Sequence, residues 1–187
     1  MLFENKKYFE KDFSNEKINF QNYLDCFFEK CNFSSANLSN SKFSNCIFIN
    51  SNFSLTNFEK IRLQEVSFEE CKFVGVQFFK IDTFLLNMNF KKCLIDTCNF
   101  SDMVLKKISF YKSIIKRCDF NNTNLTKSDF RETDLKNTIF HHSILNEANF
   151  LLAENFLIDP FNNKLENSKF SKESIYSFLE FFNINFE

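Results

Sequence analysis

The residues of this chain best able to carry chemistry are seven cysteines and two histidines among 187 residues. Thiolate and imidazole groups are the usual ligands of zinc, and paired cysteines form disulfides. The histidines, His141 and His142, are adjacent, and we expect neighbouring side chains on a bending strand to point apart, with no third ligand. One glycine and two histidines provide neither a phosphate-binding loop nor a Ser–His–Asp arrangement. The sequence therefore predicts no catalytic residue, no metal site and no cofactor.

The cysteines share one position in a five-residue repeat. Large apolar residues recur at every fifth position from Tyr23 to Phe78 and, after a slip of two residues, from Leu85 to Phe150. All twenty-six of these central positions hold Phe, Leu, Ile or Tyr, and the slot two residues earlier is usually small. The cysteines fill that slot, as buried small apolar residues, at Cys26, Cys31, Cys46, Cys71, Cys93, Cys98 and Cys118. Their interior placement favours a reducing compartment.

A period of five excludes a regular helix or a flat strand. Five residues rotate about 500° on an α-helix, and on a strand residues five apart point to opposite faces. The chain must therefore bend once per repeat and bury its apolar side by stacking on the next turn. With only Gly75 and Pro160 available, we expect Asn, Ser and Asp to form the turns. The sequence predicts an all-β solenoid.

The order of the central residues predicts the number of sides. From Phe90 to Phe150 the centres alternate between Phe and an aliphatic residue, which stacks Phe on Phe only if the number of sides is even. Four sides of five residues fit, giving a quadrilateral β-helix of about six to seven coils. If the slip forms a small outward loop, one column contains Phe28, Phe48, Phe68, Phe90, Phe110, Phe130 and Phe150.

The two ends depart from the repeat. Residues 1–20 hold Lys11 and Glu16 in the small slot, so they are predicted to form a lid plus the start of the first coil, before the β-helix at 21–170. Residues 171–187 are predicted to form a capping α-helix and tail, with Ser171 as N-cap and Asn183 as the helix end. Apolar residues of this segment suggest two-fold dimerisation through Ile175, Phe178, Leu179, Phe182, Ile184 and Phe186.

The net charge of −1 gives no bulk electrostatic reason for binding nucleic acid or an anionic membrane. No apolar run approaches the roughly 18 residues of a membrane-spanning helix, so we expect a cytoplasmic protein. Basic residues nevertheless concentrate between residues 81 and 120, either as solubilising charges or as a patch for an acidic partner surface. They are Lys91, Lys92, Lys106, Lys107, Lys112, Lys116 and Arg117.

The slip at residues 79–84, FKIDTF, is the one interruption of the rod. It is either an accommodation bulge or a contact site, because loops on regular scaffolds tend to carry function. The candidate contact residues are Phe79, Lys80, Asp82 and Phe84.

These repeats resemble the pentapeptide-repeat family. The stretch CDFNNTNLTKSDFRETDLKNTIFHHS (118–143), followed by LIDPFNNKL (157–165), resembles the microcin-immunity members, and KDFSNEKINFQNYLDCFF (11–28) resembles the start of Qnr-type quinolone-resistance proteins. The resemblance implies a right-handed quadrilateral β-helix, a dimer through its C-terminal end, and no catalytic residues.

The resemblance also implies binding to DNA gyrase or topoisomerase IV and relief of poisoning by a peptide toxin or a quinolone. Qnr-type proteins use long projecting loops for protection, and this chain has none, which favours a microcin-immunity-like role. The alternative is a scaffold or interaction module whose partner is unrelated to topoisomerases.

Overall fold

Backbone corners recur every five residues and set the architecture. The structure, a computed structural model that describes residues 1–182, places thirty non-glycine residues of that range and Gly75 in the left-handed region. Left-handed backbone costs an L-residue on the order of 1 kcal/mol, so the corners need compensation. Most corner N–H groups donate to the next coil, as Asn45 does to the Gln64 carbonyl at 2.8 Å. Many corners are Asn, but Lys, Glu, Leu and Phe also occupy them.

Short parallel strands form the sides between corners. Residues 1–182 contain sixteen strands of two to four residues: Leu2–Glu4, Lys7–Phe9, Asn22–Leu24, Phe27–Glu29, Lys42–Ser44, Ile47–Ile49, Arg62–Gln64, Val66–Glu69, Lys72–Val74, Met88–Lys91, Leu94–Asp96, Ile114–Lys116, Ile139–Phe140, Asn149–Phe150, Leu157–Ile158 and Lys169–Phe170. Single bridges such as Asn124 to Ile144 continue the ladders where no strand is assigned.

Strand pairing confirms four sides of five residues. Leu2 pairs with Asn22, and Asn22 pairs with Lys42, so each turn takes twenty residues. The solenoid has about eight turns, more than the six to seven predicted, because residues 1–20 already form a complete first coil. Lys11 and Glu16 are exposed there, since the end of the stack leaves their slots open to solvent.

The predicted column of seven phenylalanines is present and longer. Tyr8 extends it at one end and Phe170 at the other, and adjacent rings are stacked with centroids 4.6 to 5.3 Å apart. Rings of neighbouring columns meet edge to face, as Phe110 does with Phe100 and Phe120 at 5.8 and 5.7 Å. The core is therefore a continuous aromatic stack along the rod.

The register changes from twenty to twenty-two residues at the slip. Arg62 still pairs with Asp82, but Val66 pairs with Met88, so the two additional residues lie between Asp82 and Met88. The prediction that Leu85 is a central residue is wrong: Leu85 is an exposed corner with φ 54°, and Leu86 packs against the core instead. A 3₁₀ turn at Phe78–Lys80 leads into this segment.

The C-terminal segment closes the last coil. A 3₁₀ turn at Lys172–Ile175, one α-helical turn at Tyr176–Leu179 and a 3₁₀ turn at Glu180–Phe182 follow Ser171. Ser171 precedes the helical segment but does not cap it, because its Oγ accepts the Leu152 N–H at 2.8 Å. No helix within residues 1–182 is long and apolar enough to cross a membrane.

Candidate interaction surface

All seven cysteines are buried inside the coil, as the repeat predicted. Their thiols donate to backbone carbonyls of the preceding coil, for example from Cys118 to the Ile95 oxygen at 3.4 Å. Threonine in the same slot does likewise, from Thr123 to the Phe100 oxygen at 2.9 Å. Cys, Ser and Thr therefore share this slot because each pairs a small volume with a donor for a carbonyl of the preceding coil.

Several of these thiols have a raised pKa in the interior of the coil. Desolvation raises the pKa of Cys46 to about 12 and raises the pKa of Cys71 strongly. The pKa of Cys118 is also raised, first by its hydrogen bond with the Cys98 thiol and then by desolvation. Because the thiolate is the reactive and metal-binding form, the raised pKa disfavours nucleophilic or metal-binding chemistry at Cys46, Cys71 and Cys118.

The two histidines lie closer together than predicted. The ring centroids of His141 and His142 are 3.9 Å apart, so the expectation that the two side chains point apart is wrong. His142 is a corner residue with φ 54°, so the chain turns between the two histidines. Within residues 1–182 no group of three or more His, Cys, Asp or Glu residues lies close enough to hold a metal ion.

The slip presents apolar side chains to solvent. Phe79, Phe84 and Leu85 are 44%, 61% and 67% exposed, and we call these three residues the apolar bulge. Arg62, which the sequence did not single out, holds the bulge: it pairs with Asp82 at 2.6 Å and lies 5.8 Å from the Phe84 ring. Asp82 also accepts the Phe84 N–H at 2.9 Å. The segment is therefore a short, fixed projection.

Ion pairs between coils engage most of the predicted basic patch. Lys91 and Lys92 pair with the adjacent carboxylates Glu69 and Glu70 at 2.8 and 2.9 Å. The other three pairs join Lys112 to Glu132, Lys116 to Asp134 and Arg117 to Asp96. Within residues 1–182 only Lys106 and Lys107 of the seven form no ion pair. The sequence could have indicated this pairing, since the partners lie 18 to 22 residues apart.

The last coil and the helical segment carry a second apolar surface. Phe178 is turned inward, edge to face with Phe170 at 4.9 Å, so it closes the stack. Phe182, Phe161, Leu157 and Tyr176 are exposed. Of the other predicted dimer residues, Leu179 is half-buried, Ile175 lies in the first helical turn, and Ile184 and Phe186 fall outside the described residues.

A rod of stacked five-residue sides with a buried aromatic column defines the class of protein as a β-solenoid repeat protein. Two sequence profiles place it more closely. A pentapeptide repeat region matches residues 18–84, and a profile of pentapeptide repeats in eight copies matches residues 113–150. This chain belongs to the pentapeptide-repeat family.

Solved structures support the same fold. Two trypsin-treated variants of QnrB1, a plasmid-mediated fluoroquinolone resistance protein, match with TM-scores of 0.76 and 0.65 at 15% and 18% identity, covering 100% of this chain and 98% and 92% of theirs. HetL, a pentapeptide repeat protein involved in heterocyst differentiation regulation in the cyanobacterium Nostoc, matches with a TM-score of 0.55 at 14% identity, covering 90% of this chain and 84% of its own. No curated protein sequence matches significantly.

Proposed function

We propose that this protein binds a type II topoisomerase, DNA gyrase or topoisomerase IV, and protects it from a poison without catalysing a reaction. The apolar bulge carries the proposal: Phe79, Phe84 and Leu85 are exposed at mid-rod, whereas five of the seven mid-rod basic residues are already engaged in ion pairs. Exposed apolar clusters on soluble proteins mark contact sites. The fold match to a fluoroquinolone resistance protein over this chain's whole length supports the same role.

The poison favoured by this surface is a peptide of the microcin type. The slip adds two residues to one coil and is held by Arg62 and Asp82, so it gives a compact contact and no long projecting loop. A bulge of this kind contributes apolar area at the centre of an interface, where aromatic anchors contribute most of the binding energy.

A gyrase supercoiling assay with a microcin-type peptide or a quinolone tests the proposal. The wild-type protein should restore supercoiling, whereas Phe79→Ser/Phe84→Ser should require about thirtyfold more protein, because each of the two lost aromatic anchors costs on the order of 1 kcal/mol. Phe9→Ser/Phe20→Ser is the matched control, since those rings are somewhat more exposed but lie in the first coil. Failure to relieve either class of poison with gyrase or topoisomerase IV would contradict the proposal.

We also propose that two copies associate through the C-terminal end. The exposed residues Leu157, Phe161, Tyr176 and Phe182 form an apolar surface beside the closed end of the stack, and Phe161 and Phe182 pack together at 5.2 Å. Light scattering should give twice the monomer mass at micromolar concentration, and Phe161→Ser/Phe182→Ser should give the monomer. A monomeric wild type, or a dimer unchanged by these substitutions, would refute this arrangement, with Phe9→Ser/Phe20→Ser again as control.

A further inference from the structure

One side of the solenoid has a gap in its ladder. The side that begins with Leu2–Glu4, here called the first face, is bridged from coil to coil as far as Asp82 and again from Val104 onward. Within the described residues, no backbone hydrogen bond joins residues 82–87 to residues 103–107. The positions on either side of the gap, between the same two coils, keep such bonds, from Phe79 N to the Asn99 oxygen at 3.2 Å and from Phe90 N to the Ser109 oxygen at 2.8 Å.

The gap leaves a strand edge with unused backbone groups. In a parallel ladder alternate residues bond to opposite neighbours. Leu105 and Lys107 donate to the following coil at 2.7 and 2.9 Å, so Val104 and Lys106 must direct their N–H and C=O groups to the preceding coil. Within residues 1–182 neither of those two residues makes a backbone hydrogen bond. An unpaired edge of this kind is a template for another strand.

A groove of about 360 Å³ occupies the gap. Its walls are residues 86–89 on one side and residues 104–108 on the other. Met88, Leu105 and Ile108 are buried beneath the groove, so the half-buried Leu86 and the exposed Val104 supply its apolar contacts, and the rest of its surface is largely polar. The rim carries Lys106 and Lys107, the two lysines of the mid-rod group that form no ion pair within the described residues.

We propose that this groove binds an extended, acidic peptide segment of another protein by strand addition. The main chain of the segment pairs with the N–H and C=O groups of Val104 and Lys106, and its carboxylates pair with Lys106 and Lys107. Apolar side chains of the segment, alternating with the carboxylates, contact Leu86 and Val104. The proposal goes beyond topoisomerase protection and does not depend on it.

Two short fluorescein-labelled peptides test the proposal by anisotropy, one alternating Val with Glu and one alternating Val with Lys. The Val–Glu peptide should bind saturably and weaken with added salt, the Val–Lys peptide should not bind, and N-methylation of alternate amides should abolish binding. Hydrogen exchange gives the site directly. The Val104 and Lys106 amides, unbonded in the free protein, should exchange about tenfold or more slowly with the Val–Glu peptide bound.

Two variants distinguish binding in the groove from non-specific attraction of an acidic peptide to basic residues. Lys106→Gln/Lys107→Gln should weaken binding about tenfold or more, whereas Lys91→Gln/Lys92→Gln, with the same charge change at paired lysines, should leave it nearly unchanged. Deleting Thr83 and Phe84 restores the repeat as Ile81-Asp82-Leu85-Leu86-Asn87 and the twenty-residue register. This variant should be at least as stable as the wild type in thermal unfolding, yet should not bind the peptide.

The proposal is overturned by any of three results. These are no saturable binding of the Val–Glu peptide up to about 1 mM, unchanged binding to the folded deletion variant, or binding without protection of the Val104 and Lys106 amides. None of them bears on gyrase protection, which the supercoiling assay measures separately.

Discussion

Replacing Phe110 by Ala should lower the free energy of unfolding by about 3–5 kcal/mol. Phe110 is fully buried and stacks on Phe90 and Phe130 at 5.3 and 5.1 Å, with Phe100 and Phe120 against its edges. Because each coil contacts only its neighbours, one lost ring weakens the coil above and the coil below together. Guanidinium unfolding followed by circular dichroism measures the change.

Two variants control for the nature of this loss. Phe110→Leu keeps most of the volume and resembles the aliphatic columns beside it, so it should cost about 1–2 kcal/mol. Phe79→Ala removes an exposed ring and should stay within about 0.5 kcal/mol of the wild type. A Phe110→Ala protein no less stable than Phe79→Ala would show that the stacked column does not hold the coils together.

The stacked phenylalanine column could be predicted from the sequence because a phenylalanine recurs at the same position of each twenty-residue turn. A five-residue period with alternating Phe and aliphatic centres leaves one even-sided packing, and the structure has it from Phe28 to Phe150. Periodicity failed at Leu85, since a two-residue insertion can place either Leu85 or Leu86 inward. Hydrogen bonding decides: Leu86 donates to the Thr83 carbonyl at 3.2 Å, which makes Leu85 the corner.

The ends were harder to predict because their slots are not enclosed. Lys11 and Glu16 look incompatible with a core, yet both are solvent-exposed at the end of the stack, and Lys11 lies 4.8 Å from the Phe13 ring. The same reasoning applies to Ser171, whose side chain bonds to Leu152 of the last coil and not to its own helix. The side-chain contacts of a residue at an open end are therefore set by the coil that it covers and not by the repeat pattern.

The candidate surface was harder to predict than the core, because the five-residue period does not show which side chains and backbone groups remain unpaired. Exposed Phe79 and Phe84 were identified from the slip alone, because the repeat has no inward place for them. The unused backbone edge at Val104 and Lys106 was not foreseeable, since it follows from where the inserted residues lie within one side. Lys106 and Lys107 stand apart from the other basic residues only after the coil-to-coil pairing is known.

The stability of the fold should fall steeply as the pH rises above about 9, because thiols buried in the coil cannot ionise there. Burial raises the pKa of Cys46 from 9.0 to about 12, and the pKa values of Cys71 and Cys118 are raised as well. A group with a raised folded-state pKa contributes its full stability below the unfolded-state pKa and loses it as the pH rises toward the folded one. Each such thiol removes about 1.4 kcal/mol per pH unit, so three remove about 4 kcal/mol per unit above pH 9.

Guanidinium unfolding under a reducing agent, from about pH 7 to about pH 11, measures this slope. Cys46→Ala is the informative variant, because Ala36 and Ala148 occupy the same slot in other repeats and are fully buried there. It should remove one thiol's share of the slope, about 1.4 kcal/mol per pH unit, while retaining the fold at neutral pH. Tyr23, whose pKa desolvation also raises, keeps part of the alkaline loss in every cysteine variant. If Cys46→Ala leaves the dependence of unfolding free energy on pH unchanged, ionisation of the interior thiols is not the cause of the alkaline loss of stability.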